Sequence, residues 1–367
     1  MKALFVISTL GAGGAERAMS ELAGFLAKRG WSILLVSFEN ETASDFYPLH
    51  PAVRRARLGN PQPAANWAGK LAANVRRVRA LRAVIAQERP EVVLSFMETT
   101  NVLTLLACFC LGVSAVIGER THPAHHVTVP TVWRWGRRLL YRRARCVVAQ
   151  TDSAAGWLRR HCHCAVRVIP NALRDLPEPQ LERQHFVLSV GRLETVKGFD
   201  MLLRAFALVH ESFPDWRAVM VGDGPLREEL QLLAKELGLA ARVDWLGRRS
   251  DVEVWYARAS VVAQASRFEG FPNVLLEAMG MGAATISTDC ESGPGEIITH
   301  GIDGWLVPVD DVQAMAAGLR TLMADAALRL DLGRSAMAVR ERYADILISS
   351  QWERLLFAAG TAGVERR

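Results

Sequence analysis

Three groups of residues have the types and spacing to handle a charged, hydroxylated ligand. In Arg267-Phe268-Glu269-Gly270-Phe271-Pro272-Asn273-Val274-Leu275-Leu276-Glu277-Ala278, proline suits a first helical turn, so a helix is predicted to begin near Pro272. That puts Glu277 on the helix and Glu269 in the loop before it, two carboxylates at different heights beside a helix start. Such a start offers unpaired backbone N–H groups to an anion. Val274, Leu275, Leu276 and Met279 make the helix read as buried, and a buried carboxylate needs a partner, for which a ligand hydroxyl is one candidate. An ordinary exposed position is the plainer reading of Glu277. The second group is the strand end Val190-Gly191-Arg192-Leu193 with Lys197-Gly198 just beyond it. Its guanidinium and ammonium can clamp a diphosphate, one through paired hydrogen bonds and the other as a point charge. Alone, the pattern also describes a solvated loop. The third, Gly11-Ala12-Gly13-Gly14-Ala15-Glu16, lies between a strand and a helix, where glycine lets backbone approach a phosphate. Glu16 stands where a dinucleotide fingerprint needs glycine, and no Walker lysine follows. A tight turn would have the same composition.

Positioning these groups requires strands that end beside them. Short β-rich runs alternate with longer helical patterns, the sequence form of parallel sheets with crossover helices. Strands are predicted near 3–8, 33–38, 92–96, 115–118 and 147–150, and then near 186–190, 218–221, 243–246, 261–263, 285–287 and 305–307. A polar, proline-containing stretch at 174–184 separates the two sets. The expected organisation is a domain over 1–175, a second over 176–340, and a C-terminal helix in 341–367 that crosses back to the first. At 367 residues the chain is long enough for two such cores. Ligands are expected at the carboxyl ends of the strands, in a cleft between the domains.

Charge divides the chain unevenly. Residues 1–170 hold 23 Lys and Arg against 10 Asp and Glu, whereas the remainder holds 21 against 28, so the overall +6 conceals a basic half and an acidic half. A basic half points to phosphate or an anionic membrane surface, although arginine-rich surfaces also serve solubility. Nucleic acid is the weaker partner, since no stacking-aromatic or recognition-helix pattern accompanies the charge. The six cysteines show no paired disulfide spacing and read as reduced, buried thiols of a cytoplasmic protein. His161-Cys162-His163-Cys164 is a poor metal cluster, because adjacent ligands rarely converge on one tetrahedral ion. The opening residues resemble a signal peptide but read better as a first buried strand. The longest apolar run, 102–117, has 16 residues, short of the roughly 20 that span a bilayer.

Together the motifs resemble glycosyltransferase family 4, a family of retaining enzymes whose hallmark is two glutamates separated by seven residues, here Glu269 and Glu277. The likeness extends over Gly13-Gly14-Ala15-Glu16-Arg17, Ile169-Pro170-Asn171, Val190-Gly191-Arg192-Leu193, Lys197-Gly198 and Val221-Gly222-Asp223-Gly224-Pro225. It implies the GT-B architecture: two Rossmann-like, doubly wound parallel-sheet domains facing a cleft. It also implies a nucleotide-sugar donor, in particular a UDP-sugar, with Arg192 and Lys197 on its diphosphate and Gly13 and Gly14 approaching from the other domain. By the same likeness Glu277 binds the ribose, and Glu269 holds the sugar beside Gly270, Phe271, Pro272 and Asn273. Cys290-Glu291-Ser292-Gly293-Pro294-Gly295-Glu296 is similar to a loop of the branch that extends polyprenyl-diphosphate-linked oligosaccharides. The family's polar residue near the transferred sugar falls on Arg120 or His122, which the sequence does not distinguish, and a loop histidine with no role is the plainer alternative.

Stabilising a departing nucleoside diphosphate is the main catalytic need. Arg192, Lys197 and a helix N-terminus can meet it, and no Asp-x-Asp pair occurs in the chain, so no metal and no cofactor are expected. Residues 132–145 form a basic amphipathic pattern, with Val132, Trp135, Gly136, Leu139 and Leu140 on one side and Arg134, Arg138, Arg142 and Arg145 toward the other. That suits an anionic lipid interface on the inner membrane face, or a lipid-linked acceptor; packing of the apolar side on the sheet is the competing reading. Residues 70–89 add Arg76, Arg77, Arg79 and Arg82. A nucleotide-sugar epimerase of the same fold would share the donor cleft without an acceptor, and a non-catalytic nucleotide-sugar or glycan-binding protein would keep only part of the site. The glutamate pair and the basic, tryptophan-bearing half favour transfer.

Overall fold

The computed structural model describes residues 1–59, 66–124, 130–179 and 182–364. The chain forms two compact units, one of residues 1–171 with 346–367, the other of residues 172–345. Each is built on a single parallel sheet covered by helices.

The first unit contains β1 (Lys2–Ile7), β2 (Ser32–Ser37), β3 (Arg54–Arg57), β4 (Val92–Phe96), β5 (Ser114–Gly118), β6 (Cys146–Ala149) and β7 (Val166–Val168), arranged β3-β2-β1-β4-β5-β6-β7. Its helices are α1 (Gly14–Lys28), α2 (Trp67–Glu88), α3 (Glu98–Cys108), α4 (Thr131–Leu140) and α5 (Asp152–Cys162). The inner strands are near-continuous Val, Ile, Leu and Phe because both faces of the sheet are covered; Leu4, Phe5, Val6, Val93 and Ile117 are fully buried. The edge strands β3 and β7 were not expected. Strand β3 reads Arg-Arg-Ala-Arg and shows no apolar alternation. It holds the edge through Arg55, which pairs with Glu39 at 3.0 Å and Asp45 at 3.3 Å.

The second unit contains β8 (Gln184–Val190), β9 (Arg217–Val221), β10 (Val243–Gly247), β11 (Ala259–Gln264), β12 (Ala284–Thr288) and β13 (Trp305–Val307), arranged β10-β9-β8-β11-β12-β13. It carries α6 (Phe199–Ala207), α7 (Arg227–Glu236), α8 (Val252–Arg258), α9 (Asn273–Gly280), α10 (Pro294–Ile297), α11 (Val312–Ala324), α12 (Ala326–Ala336) and α13 (Val339–Arg342). Phe206, Trp216, Met220, Ile286 and Leu319 centre one of its cores. The last helix, α14 (Asp345–Val364), returns to the first unit, where Trp352 meets the Phe96 ring at 5.5 Å and Glu353 pairs with Arg29. Predicted strands agree with the observed ones to within two residues. The apolar run 102–117 divides between α3 and β5, and among the described residues no helix is long and apolar enough to cross a membrane.

In each sheet the order of strand addition reverses once, between β1 and β4 and between β8 and β11. Loops at the carboxyl ends of those four strands diverge, which is where open α/β sheets bind ligands.

Candidate functional site

At the β8/β11 reversal the structure gathers four of the predicted residues. Lys197 ends a short 3-10 turn, Thr195–Lys197, after β8, and its Nζ donates to Glu269 Oε1 at 2.6 Å. The same oxygen accepts from Ser266 Oγ at 2.6 Å and Gln264 Nε2 at 3.0 Å. Glycine is required where these loops touch. A Cβ on Gly198, at φ +62°, would sit 1.9 Å from the Ala265 carbonyl oxygen, and one on Gly222, at φ +136°, would sit 1.8 Å from that of Gly191. Val221-Gly222-Asp223-Gly224 therefore braces the loop that carries Arg192. Arg267 ties the two loops together, bonding Asp200 at 2.7 and 2.9 Å, Asp310 at 2.7 Å and the Thr195 carbonyl at 2.6 Å. Hydrogen bonding to Asp200 raises its pKa above the ordinary arginine value.

Arg192 is exposed beside Glu194, 3.0 Å away. Helix α9 begins at Asn273, directly after Pro272, and buries Glu277 as its sequence suggested. The partner of Glu277 is Arg174, 3.3 Å away, which also bonds Glu253 at 3.1 Å. Phe271 and Pro272 are buried, and Ser292 Oγ donates to the Gly270 carbonyl at 3.2 Å, so the backbone before α9 is held by the 290–296 loop. Cations, carboxylates and a helix start thus stand together, a set able to bind a diphosphate and hydroxyl groups.

At the β1/β4 reversal lies a cavity of about 290 Å³ lined by Ser8, Thr9, Phe38, Glu39, Arg77, Met97 and Glu98, among others. Met97 has φ +77°, a strained conformation for a residue with a side chain and one that clusters at functional positions. Glu39 is fixed by the Leu10 backbone N–H, Ser37 Oγ and Arg55. Glu98 pairs with Arg137 of α4 at 3.0 Å, both side chains almost wholly buried, and the Arg137 guanidinium lies 4.8 Å from the Trp157 ring centre. Gly13 is the extended N-cap of α1 and Gly14 its first residue, and the acid in that first turn is Glu16, which accepts from Thr9 Oγ1 at 3.2 Å.

Arg120 and His122 differ in setting. Arg120 is half-buried over the Phe96 ring, 4.7 Å from its centre, and donates to Asn171 of the Ile169-Pro170-Asn171 motif. Burial, then the charge of Arg17, lowers its pKa to about 10. His122 is fully buried; its Nδ1 accepts from the Ala124 N–H at 3.3 Å and its Nε2 lies 3.3 Å from Ser153 Oγ.

The apolar side assigned to α4 divides in two. Gly136 and Leu140 face the protein, Gly136 because its missing side chain lets α4 approach Val102, whereas Val132, Trp135 and Leu139 are exposed; Trp133, which was not assigned to that side, packs on the core as well. Arg134 and Arg138 are exposed on α4 itself. The helix ends at Leu140, short of the expected 132–145 pattern, so Arg142, in a 3-10 turn at Tyr141–Arg143, and Arg145, just before β6, are exposed beyond it. Neighbouring helices expose further apolar residues, Trp67, Leu71 and Val75 on α2 and Leu106 on α3 with Phe109 just beyond its end. All six cysteines are free thiols. His161 stacks on Trp157 at 4.2 Å, and among the described residues no three His, Cys, Asp or Glu are grouped to hold a metal.

Gln264, Ser266, Arg174, Glu39 and Glu98 were missed by sequence reasoning. The usable signal was position: Glu39 and Glu98 are polar residues two beyond apolar strands, and Gln264 ends one.

Comparison with known proteins follows the same division. Residues 12–174 match the family model Glycosyltransferase Family 4, and residues 175–339 match Glycosyl transferases group 1. Over 97% of this chain and 98% of the other, the sequence is 30% identical to a Campylobacter jejuni α-1,4-N-acetyl-D-galactosaminyltransferase whose named substrate is a GalNAc-bearing diNAcBac-PP-undecaprenol. It is 26% identical to the amylovoran biosynthesis glycosyltransferase AmsD of Erwinia amylovora, over 94% and 96% of the two chains. Among solved structures, sucrose-phosphate synthase of Thermosynechococcus elongatus superposes with a TM-score of 0.83 at 21% identity, covering 98% and 100% of the chains. Anabaena HepE, in complex with UDP and glucose, gives 0.77 at 21% over 97% and 99%. The fold is GT-B.

Proposed function

We propose that this chain, which belongs to glycosyltransferase family 4 and is a glycosyltransferase, moves a hexose or N-acetylhexosamine from a UDP-sugar to a polyprenyl-diphosphate-linked glycan. The observation that carries the donor half is the Lys197–Glu269 pair at the reversal of the second sheet, with Arg192 exposed on the loop after β8 and Glu277 buried on the helix that follows Glu269. Fixed cations there offset the charge that develops on a departing nucleoside diphosphate. The carboxylates are suited to ribose and sugar hydroxyls, which are hydrogen-bond donors. Arg192 and Lys197 do this without a metal or a cofactor. The acceptor half rests on the undecaprenol-linked substrate named for the Campylobacter relative and on the cavity lined by Glu39 and Glu98.

The acceptor's lipid would keep the enzyme at the inner face of a membrane. Supporting this, α4 exposes Val132, Trp135 and Leu139 together with Arg134 and Arg138, and the exposed Arg142 and Arg145 follow the helix in the chain. An anionic lipid surface complements both parts, and each Lys or Arg near it contributes about 1 kcal/mol. No nucleic-acid partner is part of the reading. The test is a screen of UDP- and GDP-sugars for transfer to polyprenyl-diphosphate-linked acceptors. Transfer from a UDP-sugar to a lipid-linked acceptor is expected; transfer only from GDP-sugars, or only to water-soluble acceptors, would overturn the corresponding half.

A further inference from the structure

We propose that Gln264, supported by Ser266, is a donor-sugar selecting residue, resting on the reading of Glu269 as the carboxylate that meets the transferred sugar. Gln264 is the last residue of β11, at the sheet reversal, and is 6% exposed. Its Nε2 donates to Glu269 Oε1 at 3.0 Å, which sets the amide beside the carboxylate. Among the described residues its Oε1 is buried and has no hydrogen-bond partner. Buried acceptors without donors are rare in folded proteins, and each one calls for an explanation. A bound ligand that supplies the missing donor is one, and here the atom lies at the strand end where a ligand is expected.

The second half of the argument is the way Glu269 is held. Three donors, Lys197 Nζ, Ser266 Oγ and Gln264 Nε2, converge on Oε1 within 2.6 to 3.0 Å, and none of them uses Oε2. Ser266 is itself fixed, since its carbonyl accepts from Thr288 Oγ1 on β12. The carboxylate is therefore oriented even when Lys197 turns toward a diphosphate. What remains for a ligand is a pair of acceptors, Glu269 Oε2 and Gln264 Oε1, one of them anionic. That pair recognises two donating groups on neighbouring carbons, two hydroxyls or a hydroxyl and an N-acetyl N–H. It rejects a sugar carboxylate by like charge. Neutral hexoses and N-acetylhexosamines fit, and hexuronic acids do not.

The experiment compares wild type with Gln264→Met and Ser266→Ala. Binding of UDP alone is measured by calorimetry, and kcat/KM with UDP-glucose, UDP-galactose, UDP-GlcNAc, UDP-GalNAc and UDP-glucuronic acid. Met keeps the length of Gln264 but neither donates to Glu269 nor accepts from a sugar. UDP affinity is expected to stay within about threefold, while kcat/KM for the preferred donor falls on the order of tenfold or more, because an unmatched polar contact at a sugar discriminates strongly. The ratio between donors should shift, and Ser266→Ala should show the same pattern at about threefold, with an unfolding midpoint close to wild type. Equal losses for UDP and for every sugar donor, or an unchanged donor ratio in both variants, would overturn the proposal, as would wild-type preference for UDP-glucuronic acid. A wild type that transfers no sugar from any donor removes the reading of Glu269 as well, whereas an active wild type with indifferent variants removes only the role of Gln264.

Discussion

The two units share a sheet plan and pair acids with arginine or lysine at their sheet reversals, but they differ in the arginines that lie elsewhere. In the second, the acids and bases of the candidate site are matched at short range: Lys197 with Glu269, Arg174 with Glu277, Arg267 with Asp200 and Asp310. In the first, one arginine of α4 is buried against Glu98, while Arg134, Arg138, Arg142 and Arg145 point outward, and among the described residues no carboxylate engages them. Paired charges at a strand end hold a small polar ligand in one geometry. Unpaired charges on an outer surface act over a broad area, where position matters little and number matters more. The basic excess of residues 1–170 thus includes these four surface arginines, and the acids of the remainder include the two of the candidate site.

The largest effect should come from the one α4 arginine that behaves like the second unit. Arg137→Ala leaves the buried Glu98 carboxylate without its 3.0 Å partner, and loss of one member of a buried pair costs about 3 to 5 kcal/mol. Arg138→Ala, one residue on but exposed, should change stability by no more than about 0.5 kcal/mol. Denaturant melts of the two variants test this, and equal stabilities would show that the buried pair contributes nothing. Next in size, Arg192→Ala and Lys197→Ala should each lower kcat/KM on the order of a hundredfold with the fold intact. Lys197→Ala should also loosen Glu269, so its loss should vary more with the donor sugar. Near-normal turnover in both variants would place the diphosphate elsewhere.

A smaller, graded effect is expected on the membrane side. Changing Arg134, Arg138, Arg142 and Arg145 together to Glu should abolish flotation with anionic liposomes. Wild-type binding should weaken as salt rises, because the Debye length shrinks to about 3 Å at 1 M. Replacing Val132, Trp135 and Leu139 with Ala should weaken binding that survives in salt, since that part is apolar. If wild type ignores anionic liposomes at low salt, α4 is not a membrane surface.

Much of this was legible in the chain. The inner strands declare themselves because burial on both faces demands continuous Val, Ile and Leu, and the Glu269 to Glu277 spacing follows from one loop and one helix. Strand β3 was not legible, since Arg-Arg-Ala-Arg is an edge strand only in the presence of Glu39 and Asp45. The split face of α4 depends on where Val102 approaches Gly136, which periodicity does not encode. Lys197 and Glu269 are 72 residues apart, so both could be named separately but not paired. Gln264 was invisible because an amide at the end of an apolar strand looks like a polar terminus until its neighbours are known.

The smallest expected effect is none at all: EDTA should leave turnover unchanged. In the proposed reaction the positive charge that meets a leaving diphosphate is that of side chains, the exposed Arg192 and the half-buried Lys197. A divalent ion in the same place would need carboxylates directed at it. Glu269 Oε1 already accepts three hydrogen bonds, and Glu277 faces Arg174. Each acid thus has a cation of the protein beside it, and the Glu269 oxygen that remains, Oε2, is the one proposed to meet a sugar hydroxyl, an arrangement that works with an ammonium on the diphosphate. The assay is the initial rate of transfer before and after exhaustive chelation, with magnesium and manganese added back separately. Loss of activity on chelation, restored by either ion, would show that the charge on the leaving group is met by a metal and that Lys197 serves only to hold Glu269.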